Sequence, residues 1–253
     1  MDSGKKGGMD NFCLKKNYLY EILATTFFWD DFSKKNVYNT SCMGIQVLSN
    51  DSITIKPYPT TQTYKNLEKN GFIILNFVDN IYYYALAALK SPQSNRNIKK
   101  FPKRYYSFKK DQTLHSILQF YSDKLKGGIN QIPYIKNAWG IIIGFVVDSE
   151  LIAKKSDLGT TQLTQFIIKP ILSELLRKSY HLYNRAENLA LEMIILATRL
   201  KVAFERGDKK VIHSIKKKIA NYESDINRFS QNKQVFKTIE VIKDYCSQFI
   251  QIF

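Results

Sequence analysis

Between Asn39 and Asn76 the sequence NTSCMGIQVLSNDSITIKPYPTTQTYKNLEKNGFIILN alternates short apolar runs with turn residues in an order few folds can satisfy. Met43 to Leu48 reads as a strand and Asn50-Asp51 as a tight turn. Ile53 to Pro57 returns with Ile53 and Ile55 on one face. Pro59, Thr60, Thr61 and Thr63 then lead into a short helix from about Thr61 to Lys69, which Asn70 and Gly71 stop. FIILNF, at 72 to 77, is apolar without alternation, as expected of a strand buried on both faces. The free amides of a helix's first turn and its positive dipole end favour anions, so this Thr-rich helix start is suited to a phosphate.

Upstream, YLYEILATT sets Tyr18, Tyr20, Ile22 and Ala24 against Leu19, Glu21, Leu23 and Thr25, a strand pattern. The polar stretch Trp29 to Asn36 closes a hairpin, giving a meander of three antiparallel strands. Downstream, Asp79 is placed to cap a helix through Tyr82, Ala85 and Leu89. The basic segment Ser91 to Lys110 contains Pro92 and Pro102, which argue against long regular structure. A helix over Leu114 to Leu125, ended by Gly127-Gly128, and a strand over Trp139 to Val147 follow.

At Asp157 the character changes. Thr161 to Phe253 holds one proline, Pro170, and one glycine, Gly207, and reads as three or four helices. The expectation is therefore an α+β chain: a barrel-like domain over 1–156, with 1–11 a disordered tail, and a helical subdomain over 157–253. The run NRAENLALEMIILATRL at 184 to 200 is apolar nearly all round from Leu189 to Ala197, a buried helix. Asn188, Glu192 and Arg199 share a stripe on it. A buried, hydrogen-bonded ion pair is the preferred reading of that stripe, ahead of a ligand-cavity wall.

No apolar run reaches the roughly 20 residues of a membrane helix, and MDSGKKGGMDNF lacks the apolar stretch of a signal peptide. The expected location is the cytoplasm. Cys13, Cys42 and Cys246 are far apart, and His115, His181 and His213 stand alone, so no metal site is expected. No Walker loop, GxGxxG or Ser, His and Asp set is evident. The net charge of +16 is spread over many Lys pairs and reads as a solvated surface. NIKKFPKRYYSFKK, at 97 to 110, interleaves aromatics with cations as a single-strand nucleic-acid binder would, which keeps that class as an alternative.

Three local features admit two readings each. At Thr60 to Asn66, plain capping contributes about 1 kcal/mol. Thr63, Tyr64 and Lys65 acting as donors to a phosphate would add roughly 1.5 to 3 kcal/mol each. At Asn39 to Gly44, the glycine either admits a neighbouring strand or lets a flat ring lie on the backbone. Asn76 is either a buried asparagine bonded to backbone or a ligand contact.

YEILATT, NTSCMGIQV, IKPYPTTQTYKNLEKNGFIILNFVDN, YYYALA and NRAENLALEMIILATRL, taken in order, resemble the archaeal proteins called domain of unknown function 447. These are similar to flavin-reductase-like proteins with an FMN-binding split β-barrel, and the resemblance covers most of residues 18 to 206. It implies a homodimer with FMN in the groove between two barrels and a reduced nicotinamide as hydride donor. Asn39, Met43 and Gly44 would line the isoalloxazine, and Thr60, Thr61, Thr63, Tyr64, Lys65 and Asn66 would surround the phosphate, with Asn76 a further candidate. Cys42 stands where the family pattern usually has proline, which loosens the backbone and sets a thiol near the flavin. The cofactor would carry the chemistry, so no catalytic side chain is named. A non-catalytic binder of flavin or of another phosphorylated ligand is the alternative within the same fold.

Overall fold

The computed structural model describes residues 9–49, 51–93, 98–110, 131–156, 159–179 and 184–249. The helix expected over Leu114 to Leu125 and most of the expected tail lie outside these residues. Contacts divide the chain into two compact units, Met1–Val78 with Lys103–Ser179, and Asp79–Pro102 with Tyr180–Phe253.

The first unit is a closed antiparallel barrel. Strand β1 (Leu19–Asp30) pairs with β2 (Lys35–Ser49) from Leu19↔Gln46 to Asp30↔Lys35, and β2 with β3 (Ser52–Ile55), the expected meander with its first two strands longer. Helix α1 (Gln62–Asn70) follows, then β4 (Phe72–Phe77), buried at every position. A two-stranded ribbon, β5 (Tyr106–Lys109) with β6 (Ile132–Ile135), lies outside the barrel order. Strands β7 (Gly140–Ser156) and β8 (Gly159–Leu175) complete the ring β1-β2-β3-β8-β7-β4. Its core gathers Ile22, Ala24, Ile45, Ile53, Ile55, Ile73, Leu75 and Ile142.

Strand β8 corrects two expectations at once. The helical reading from Thr161 fails because Thr164, Phe166, Ile168 and Pro170 are buried while Gln165, Ile167 and Lys169 are not, the period of a strand. Pro170 is tolerated because the register with β7 shifts beside it, between Ile143↔Leu172 and Gly144↔Pro170. With β8 closing the barrel, the boundary expected at 156 moves to Ser179, and residues 79–102 group with the helices.

The second unit holds α2 (Ile81–Ala88), α3 (Arg185–Glu205), α4 (Lys209–Phe229) and α5 (Lys233–Ser247). Helix α2 is capped by Asn80, whose side chain accepts from the Tyr82 amide at 3.1 Å, rather than by Asp79. On α3, Ala190, Met193, Ile194 and Ala197 are buried, whereas Asn188 and Glu192 are exposed, so the stripe they share with Arg199 is not a buried ion pair. Among the described residues no helix is long and apolar enough to cross a membrane.

Candidate functional site

Strand β3 pairs with β2 only from Ile45 to Ser49, so β2 runs on past it and Cys42 to Gly44 have no strand opposite that edge among the described residues. The chain leaves β3 at Ile55, passes Pro57 and Pro59, and turns into α1. Thr61 is its cap: the hydroxyl donates to the Tyr58 carbonyl at 2.7 Å and accepts from the Tyr64 amide at 3.3 Å. The amides of Gln62 and Thr63 bond to nothing else among the described residues and sit at the positive end of the helix. With the exposed Thr60 hydroxyl and the exposed Lys65 ammonium, they form a donor set suited to a phosphate dianion.

The other phosphate candidates have structural duties. Thr63 is 0% exposed; it accepts from Asn39 Nδ2 at 3.0 Å and donates to Ser41 Oγ at 3.1 Å. Asn66 is 1% exposed, donating to Thr26 Oγ1 at 2.9 Å and accepting from Gln62 Nε2 at 2.7 Å. The Tyr64 hydroxyl donates to Glu68 at 3.0 Å while its ring tilts against Phe166. Thr63, Asn66, Leu67 and Asn70 form the buried stripe of α1, which seats the helix on β1 and β2. A first-turn polar residue on that stripe faces the barrel, so only the exposed side of the turn is open to a ligand.

Strand pleating separates the ring-end candidates. Asn39, Ser41 and Met43 share one face, with Met43 against the barrel core and Asn39 and Ser41 bonded to Thr63. Cys42 and Gly44 share the other. Cys42 Sγ donates to Glu21 Oε2 at 3.6 Å, and a Cβ on Gly44 would come within 3.0 Å of the Leu19 side chain. Gly44 thus makes room for Leu19 across the strand pair. Burial, with the Glu21 charge and hydrogen bond adding to it, pushes the Cys42 thiol well above its ordinary range, so it stays protonated. What the two faces have in common is the β2 backbone edge, the surface a flat ring could meet.

Asn76 is corrected to a structural residue. It is 0% exposed, donates to the Leu23 carbonyl at 2.9 Å, to Thr25 Oγ1 at 3.1 Å and to the Ile74 carbonyl at 3.2 Å, and accepts from the Ile135 amide at 2.8 Å. The polar chain continues outward, since Thr25 and Thr40 hydroxyls are 2.8 Å apart and Thr40 and Tyr106 hydroxyls 2.7 Å apart. Sequence reasoning passed over Ser41, Gln62 and Tyr106. Alternation alone puts Ser41 beside Asn39, and Gln62 is the first helical residue, but no local signal brings Tyr106 to Thr40.

Residues 20–177 match the family described as "Protein of unknown function (DUF447) N-terminal domain". No curated protein matches the sequence. Among solved structures, an FMN-bound protein of that family from Methanosarcina mazei superposes with a TM-score of 0.65 at 15% identity, covering 94% of this chain and 99% of that one. It has the same fold. Flavin reductase HpaC complexed with NADP+ gives 0.41 at 14% identity, over 68% of this chain and 88% of its own. An FMN-binding protein from Thermus thermophilus gives 0.40 at 11%, over 62% and 71%.

Proposed function

We propose that this chain, which belongs to the DUF447 family of proteins of unknown function through residues 20–177, binds FMN non-covalently at the junction of β2 and α1. The observation that carries this reading is the pair of bonds from Thr63 to Asn39 and Ser41, at 3.0 and 3.1 Å. They lock a helix start with free amides to a strand edge that has no strand opposite it among the described residues. The phosphate would be held by the Gln62 and Thr63 amides, the Thr60 hydroxyl and Lys65, and the ring would lie on the backbone from Cys42 to Gly44. The FMN-bound relative with the same fold supports the choice of ligand.

Bound there, FMN would supply reversible hydride acceptance, and the protein would supply orientation and hydrogen bonds. The oxidoreductase reading takes a reduced nicotinamide as donor and a second copy of the chain as the opposite wall of a groove, since one edge covers one side of a flat ring. Flavin fluorescence during titration tests the binding: quenching that saturates is expected, with affinity falling about tenfold in Thr60→Ala with Lys65→Ala. No quenching, or unchanged affinity in the variant, sinks the assignment. Oxidation of reduced nicotinamide by the loaded protein separates an enzyme from a carrier, and sedimentation of the loaded chain tests the dimer.

A further inference from the structure

Helix α4 carries positive charge that nothing else in the chain answers. Residues 209–222 contain no Asp or Glu. Lys210, Lys216, Lys217 and Lys218 therefore have no carboxylate three or four residues away, the spacing at which opposite charges on a helix support each other. The carboxylates of α4 and of its cap are engaged elsewhere: Asp208 accepts from the Val211 amide at 3.0 Å, Glu223 pairs with Lys243 at 2.5 Å, and Asp225 pairs with Arg228 at 3.1 Å. Among the described residues none of the four lysines is ion-paired. Lys210 also stands in a first turn without an acid, against the positive end of the helix dipole. Such a helix is less stable than one with mixed charges, unless an anion from outside the chain offsets the repulsion.

The charge is also arranged along one line. Ile212, Ile215 and Ile226 form the buried side of α4. On the opposite side Lys210, Ser214, Lys217 and Asn221 follow at intervals of four, three and four residues, all exposed, a single stripe about 16 Å long. The exposed Lys218 and the half-buried Lys216 stand on either side of it.

The surroundings of the stripe select its partner. A protein interface has an apolar, aromatic core poor in lysine, and a membrane surface holds a helix by burying apolar side chains. Among the described residues of this unit no large apolar side chain is exposed. Single strands stack their bases on open aromatic faces, and the stripe has none. The phosphate backbone of a duplex needs neither. Ammonium groups meet phosphates as point charges, and Ser214 and Asn221 add hydrogen bonds that carry no base readout. Lysines on both flanks suit two phosphate walls, and the major groove of B-form DNA, about 12 Å wide, admits a helix between them. The deep, narrow groove of duplex RNA does not.

We propose that the exposed face of α4 binds duplex DNA without sequence preference, lying in the major groove with Lys210, Lys216, Lys217 and Lys218 on the phosphates. This is a second binding activity, housed in the helical unit and independent of the flavin reading.

Fluorescence anisotropy of a short labelled DNA duplex, titrated with the full chain, tests it. Saturable binding is expected, equal for two duplexes of unrelated sequence. With four phosphates neutralised, affinity should fall roughly a hundredfold between about 50 and 200 mM salt. In Lys210→Gln with Lys217→Gln that fall should shrink to about tenfold, and affinity at the lower salt should drop at least tenfold. Both positions are exposed and glutamine is as good a helix former as lysine, so the fold should hold, which circular dichroism verifies. Lys34→Gln with Lys35→Gln, the same charge change in the β1–β2 hairpin, should leave binding within twofold. No binding, an unchanged salt dependence in the α4 variant, or an equal loss in the hairpin variant overturns the proposal. Tighter binding of duplex RNA, of oligothymidylate or of vesicles of phosphatidylserine and phosphatidylcholine than of duplex DNA overturns it in favour of that partner.

Discussion

The Asn39 side chain donates to the Thr63 hydroxyl across 3.0 Å, tying β2 to the first turn of α1. Thr63→Val keeps the side-chain volume but removes an acceptor for Asn39 and a donor to Ser41. In a fully buried setting the expected loss is about 1 to 3 kcal/mol, read from urea unfolding. FMN affinity should fall as well, since the free amides depend on how the turn is seated. Lys65→Ala should lower FMN affinity with no measurable change in stability, because Lys65 is exposed. If both variants move only stability, the junction is a structural device and not a ligand site.

Asn76 makes the opposite prediction. Asn76→Ala strands the Ile135 amide inside the protein and removes one of the Thr25 hydroxyl's two partners, leaving it the Thr40 hydroxyl, at a cost of about 2 to 4 kcal/mol for a coupled network. Refolded protein should bind FMN with nearly unchanged affinity. A large affinity loss in folded Asn76→Ala would return Asn76 to the site.

The meander, α1 with its Thr-rich start and the buried β4 were legible because each is written locally, in alternation, a choice of Thr60 or Thr61 as cap, and a continuous apolar run. Strand β8 was not. Its hydrophobic positions sit among Thr and Gln on a strand that projects past the barrel, so the low Gly and Pro content of 161 to 253 masked a change of period at Leu175. The proposed phosphate residues were expected as a segment, without distinction between its members. Helix phase decides that Thr63 and Asn66 point inward while Thr60 and Lys65 point out, and phase depends on which side of α1 the barrel lies.

Gly144 is needed for closeness rather than conformation. A Cβ there would come within 2.5 Å of Ile168 Cγ2 and 2.9 Å of the Lys169 carbonyl oxygen, at the irregular register between β7 and β8. The Ile168 methyl can rotate away, but the carbonyl belongs to a paired strand. Gly144→Ala should therefore destabilise by about 1 to 3 kcal/mol. An unfolding midpoint equal to wild type would show that the bulge absorbs the methyl group.

The thiols respond to burial. Burial raises Cys42 well above 9.0 and Cys246 to about 12, whereas Cys13 is exposed. At pH 8 a disulfide reagent should modify Cys13 rapidly in the native protein, the half-buried, protonated Cys42 slowly, and the buried Cys246 only on unfolding. A folded-state value above the unfolded one means that these thiols contribute stability in full below about pH 9, and that it is lost as the pH rises above it. Equally rapid native reaction of all three cysteines would contradict the burial of Cys246 and the raised Cys42 thiol.

Lys90, in the helical unit, titrates in the other direction. Burial lowers its ammonium from 10.5 to about 8. The unfolded chain then holds the proton more tightly, so Lys90 costs stability below about pH 8 and the cost fades as the pH rises toward 10.5. The full gap corresponds to roughly 3 kcal/mol at neutral pH. Lys90→Met keeps the apolar stem and removes the charge, so it should stabilise the protein by about 1 to 3 kcal/mol at pH 7, less whatever the ammonium's own contacts contribute. The difference between variant and wild type should shrink toward zero by pH 10.5. Comparing the two proteins at each pH cancels the thiol contribution, which both share. Denaturant unfolding at pH 7 and pH 10 measures it, and a variant no more stable at pH 7, or a gain that does not shrink with pH, would show that the ammonium is solvated in the folded protein.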